Sequence, residues 1–133
     1  MARNLKGFKE FEVIPWSVPN LIRVSKRSDL SFIPLDLSAR IQTMKPENRL
    51  LIMWRLGLPC LTSPSMAYSR VEQETGISIV CQNENEWFEK ASRYIMDKEF
   101  ARDEVLRGQE YLHNNHSEKI ILEKWDRVID SVL

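Results

Sequence analysis

The sequence predicts an α/β protein: a Rossmann-like parallel sheet of about four strands flanked by helices, with an all-helical C-terminal third. Three observations predict it. Four short β-branched or apolar runs punctuate the first 81 residues, each too short for a helix. Segments with helical signals lie between them, and strands alternating with helices of this length indicate βαβ units. Beyond Cys81 no strand signal appears.

The first run is 11–16 (FEVIPW), followed by helix signals over 17–27, where Ser17 suits a cap and Pro19 a first turn. The second run is 30–35 (LSFIPL). A helix over 45–56 then carries Leu50, Leu51, Met53 and Trp54 on a wide apolar stripe; Gly57 stops it and Pro59 prevents its continuation. The third run, 60–63 (CLTS), leads through a Ser-Pro turn into a helix over 65–74 that Gly76 ends, and the fourth run is 77–81 (ISIVC). In the tail, Asn83 or Asn85 caps a helix with Trp87, Phe88, Ala91, Tyr94, Ile95 and Met96 along one face. Another helix spans about 98–112. The polar break His113-Asn114-Asn115-His116 precedes Ser117, the cap of a last helix carrying Ile120, Ile121, Trp125, Val128, Ile129 and Val132. That last apolar face is expected to cover the sheet. Neither an internal repeat nor a linker divides the sequence, so residues 1–133 are read as one domain.

Composition excludes several classes of partner. The 133 residues hold 19 Lys+Arg against 19 Asp+Glu, and this balance removes the long-range field that nucleic-acid and anionic-membrane binders use for capture. No apolar run of about 18 residues exists, and MARNLKGFKEF alternates charge with apolar residues, so no transmembrane segment and a soluble, cytoplasmic protein are expected. Two cysteines, Cys60 and Cys81, in apolar surroundings read as buried, reduced thiols. His113 and His116 share a helical face but have no Cys, Asp or Glu nearby at ligand spacing, so no metal is expected. Charge is uneven along the chain: residues 1–81 hold 11 Lys/Arg and 7 Asp/Glu, residues 82–133 hold 8 and 12. Either solvated faces fluctuate in charge, or the first part holds an anionic ligand.

The most informative stretch is 45–68, KPENRLLIMWRLGLPCLTSPSMAY. Helix starts at the carboxyl ends of parallel strands are where α/β folds bind phosphates, because free N–H groups and the helix dipole both favour an anion. The order of a strand ending in Pro, about ten residues, Lys-x-x-Asn-Arg, a helix, Gly-Leu-Pro, a strand, Ser-Pro and Tyr resembles the nucleotide-sugar-binding C-terminal half of GT-B class glycosyltransferases. Residues 28–34 look like that family's strand-and-proline element, and Gly57-Leu58-Pro59 with 60–63 like its Gly-x-Pro element. The tail from Trp87 through Asp97, Arg102, Tyr111, His116, Ser117 and Trp125 is similar to its helical ending, so the resemblance runs from about Phe11 to Leu133.

The resemblance implies a donor site for a nucleotide diphosphosugar and no further cofactor. Lys45, Asn48 and Arg49 would contact the diphosphate and sugar, with Arg40 from the preceding loop; the alternative is a solvated first turn with a Glu47–Arg pairing. Trp16 and Val18 follow the first strand, where the family receives the nucleotide base; the alternative for Trp16 is core bulk. Ser63 and Tyr68 fall at the mouth of the following strand, and Ser-Pro turn formation is the alternative for Ser63. No catalytic residue is identified. The family's acidic pair falls on Met44 and Ile52, neither of which can hold a ribose. By the resemblance a complete half begins with two further strands and follows an acceptor domain, so the chain is expected to be a fragment or one partner of a split enzyme. Part of the last helix's apolar face is then expected to be exposed, and a homodimer, or a partner protein supplying that domain, is expected. The rival expectation is a non-enzymatic interaction module, or a subunit of a split glycosyltransferase, that docks a partner through its last helix and an open strand edge.

Overall fold

The computed structural model describes residues 11–132. The charge alternation read in residues 1–10 lies outside them. Ser17 opens the first helix, α1 (Val18–Ser25), its side chain accepting from the Asn20 N–H with Pro19 in the first turn. Strand β1 (Ser31–Ile33) follows, then the short helix α2 (Arg40–Thr43), which falls where a loop was expected, and α3 (Asn48–Arg55). Pro46 lies just ahead of α3, whose cap position is Glu47. Gly57 takes the left-handed conformation after α3 (φ 79°), and Pro59 leads into β2 (Cys60–Thr62). Ser65 caps α4 (Met66–Thr75), accepting from the Tyr68 N–H, and Gly76 ends it at φ 67°.

The four-stranded Rossmann-like sheet is not formed. Helices take 63% of the described residues, and the sheet consists of two parallel strands, β1 against β2, with a single parallel bridge from Thr62 to Val80. Two of the expected strands fail for different reasons. Residues 11–16 form no strand and have no ladder partner among the described residues: Phe11, Val13 and Trp16 are exposed, and Pro15 has no N–H to give. A strand is stabilised by its neighbour, and among the described residues none stands beside this run. In 77–81 the burial is right but the donors are taken elsewhere. The Val80 N–H donates to the Glu72 carboxylate at 2.6 Å and the Ile79 N–H to the Ile77 carbonyl at 2.9 Å. Only Ile79 C=O and Cys81 N–H are left to meet Thr62, at 2.8 and 2.9 Å.

The sheet is nonetheless covered on both faces. On one, Ile33, Cys60 and Val80 pack with Leu50, Leu51 and Trp54 of α3, Tyr68 and Val71 of α4, and Leu112. On the other, Leu61 and Cys81 meet Tyr94 and Ala101. Alternate residues of one short strand therefore feed two cores, as strand geometry requires. The tail is helical as expected: α5 (Glu84–Met96), capped by Asn83; α6 (Lys98–His116), capped by Asp97; and α7 (Glu118–Val132). The polar break at 113–116 is the last turn of α6, and the chain turns at Ser117. α7 does not cover the sheet. None of its described residues is buried, and Trp125 is 62% exposed. No described helix is long and apolar enough to cross a membrane.

Candidate functional site

Parallel pairing brings the carboxyl ends of β1 and β2 side by side, and Ser63 ties them together. Its N–H donates to the Ile33 carbonyl at 3.2 Å, and its hydroxyl accepts from the Leu35 N–H at 2.9 Å. Ser63 is buried, so its first task is structural. From these ends the chain runs on one side into 34–47 and on the other into α4. Between them lies a cleft of about 480 Å³ walled by residues 43–47 and by Met66, Ala67 and Arg70.

The wall chemistry is mixed. Lys45 and Arg70 contribute positive charge, Glu47 negative charge, and Met44, Pro46 and Met66 apolar surface. Met66 and Ala67 are the first two residues of α4, whose Ser65 side chain caps Tyr68 and leaves their N–H groups to the positive end of the helix. Glu47 does not cap α3 with its side chain; it accepts instead from Arg70 Nη2. Arg70 Nε also faces Glu74 Oε1 at 3.7 Å, and the Tyr111 hydroxyl donates to Glu74 Oε2 at 2.6 Å. Burial raises the Tyr68 hydroxyl pKa, with the nearby charge of Arg49 working against it. Burial foremost, with Glu74 second, holds the Tyr111 phenol protonated and able to donate to that carboxylate.

The sequence-predicted residues divide. Lys45 lines the cleft, Arg49 stands close enough to bias Tyr68, and Asn48 begins α3, exposed. Arg40 is exposed on α2 and is not on the cleft wall. Trp16, 82% exposed, lines a different groove of about 310 Å³ with Ile14, Pro15, Leu21 and Val24, and Val18 is exposed at the start of α1. These two grooves share no residue. Arg70 was not singled out from sequence. The available signal was its place one turn after Met66, on the same face of a helix that starts at a strand's carboxyl end. Among the described residues no group of three His, Cys, Asp or Glu side chains is placed to hold a metal. No family model matches the chain, and no curated protein or solved structure gives a significant match to it.

Proposed function

We propose that the chain is the donor-binding part of a glycosyltransferase of glycan biosynthesis, holding a nucleotide diphosphosugar at the cleft between 43–47 and α4. The observation that carries this reading is the meeting of Lys45, Arg70 and the start of α4, the helix that follows the carboxyl end of β2 in the parallel pair. In this reading Lys45 and the first N–H groups of α4 bind the diphosphate, Arg49 adds charge from α3, and Met44 and Met66 give apolar contact to the rest of the ligand. Sugar transfer then requires an acceptor site and catalytic groups from another domain or chain. The Trp16 groove is too separate in its lining to be assigned to the same ligand.

A thermal-shift screen with UDP, GDP, CDP and their sugars tests the reading, since a ligand at 100 times its Kd adds about 2.7 kcal/mol to stability. Lys45→Ala is expected to weaken binding by about 1.5–3 kcal/mol, the range for a charge-assisted hydrogen bond, and Arg49→Ala by less, because Arg49 is not on the wall. Absence of any nucleotide effect at millimolar concentration overturns the reading. A second reading, an interaction module, is favoured by one observation, the uncovered apolar face of α7.

A further inference from the structure

We infer that Arg70 is an anion-binding residue of this cleft and that the carboxylate of Glu47 holds the place on its guanidinium that the anion takes. The inference rests on the anion-binding reading just given. Both residues are on the cleft wall, Arg70 with a side chain 54% exposed and Glu47 with one 12% exposed. Arg70 is held by two carboxylates on different terms. Glu74 faces Nε, is pinned from α6 by the Tyr111 hydroxyl, and is not on the cleft wall. Glu47 accepts from Nη2 and is on that wall, where a ligand arrives.

A diphosphate oxygen presents acceptors that a guanidinium fork takes as readily as a carboxylate. An entering diphosphate therefore takes the place of Glu47 on Nη2, while Glu74 keeps the guanidinium aimed into the cleft. Glu47 then has an electrostatically favourable destination. It sits at the cap position of α3 and its side chain makes no capping bond, so its carboxylate can turn to the first-turn N–H groups of that helix. Glu47 is in this sense an internal stand-in for the ligand's charge and sets a threshold for weak anions.

The test is calorimetric titration of inorganic pyrophosphate and of UDP into the full chain, as wild type, Glu47→Gln, Arg70→Ala and the double variant. Glu47→Gln is expected to tighten binding about tenfold and Arg70→Ala to weaken it tenfold or more, by the strength of hydrogen bonds to charged groups. In the Arg70→Ala background Glu47→Gln is expected to change nothing, because there is no guanidinium to release. Arg70→Lys, which keeps the charge without the fork, should fall between, and thermal melts establish that each variant is folded. Wild-type affinity in Arg70→Ala overturns the inference. So does an equal gain from Glu47→Gln with and without Arg70, which reduces Glu47 to a generally repulsive charge. In either case Lys45→Ala still reports separately on the cleft. If no variant binds either anion at millimolar concentration, the inference and the cleft reading fall together.

Discussion

Cys60 and Cys81 show what burial alone does to a residue. Both are free and buried, and loss of solvation pushes their thiols up to about 12 and about 11. The thiolate is the reactive species, so at pH 8 neither should react with a disulfide reagent such as Ellman's until the protein is denatured, when two equivalents should appear. A fast equivalent in the folded protein would mean that one of these positions is open to solvent. This much was legible from two cysteines in apolar runs. The Glu47–Arg70 pair was not, although the sequence suggests a Glu47–Arg pairing within the first turn. Its partner lies 23 residues away on α4, and no local periodicity points across two elements to that contact. The sequence suggests a turn or a ligand contact for Ser63, yet its hydroxyl joins two strand ends through Leu35, another contact that only the tertiary fold creates.

At the scale of elements, what the sequence carries best is helix starts and stops. Ser17 and Asn83 each accept the expected N–H, and Gly57 and Gly76 each take positive φ, because those signals act within four residues. Strands depend on neighbours, so the runs at 11–16 and 77–81 carry the right residue types without forming a ladder. One helix contact has a consequence that propensity alone would misjudge. α6 crosses α3 with Gly108 over the Trp54 indole, and a Cβ built there would stand 2.5 Å from Cδ2 and 2.7 Å from Cγ. The Gln109 side chain closes the same contact by donating to the Trp54 carbonyl at 3.0 Å. Gly→Ala in a helix interior ordinarily gains up to about 1 kcal/mol. Here overpacking against a buried, rigid ring should reverse the sign, and Gly108→Ala is expected to destabilise the protein by about 1–3 kcal/mol in urea unfolding. A gain in stability would show that α3 and α6 separate freely.

For the whole molecule, the uneven distribution of cover matters more than the size of the core. The two faces of the sheet are packed, whereas Ile121, Leu122, Trp125, Val128, Ile129 and Val132 form an exposed stripe on α7. An isolated helix of 15 residues is marginal in water, so α7 gains little support from its own backbone and has much apolar surface to lose by docking. β1 adds a second opening: among the described residues it pairs with β2 alone, so its other edge has no strand beside it. The spacing of Ile121, Trp125, Val128 and Val132 alternates four and three, the seam that pairs helix with helix. A second copy presents the same stripe, so two-fold association needs no further partner. Sedimentation at micromolar concentration is therefore expected to give a species heavier than 15.7 kDa that dissociates on dilution. Trp125→Glu should return it to a monomer with little change in the stability of the core, because that side chain contacts neither hydrophobic cluster. A 15.7 kDa species in the wild type at every concentration would leave the stripe to a different protein, and the variant would then sediment as the wild type does.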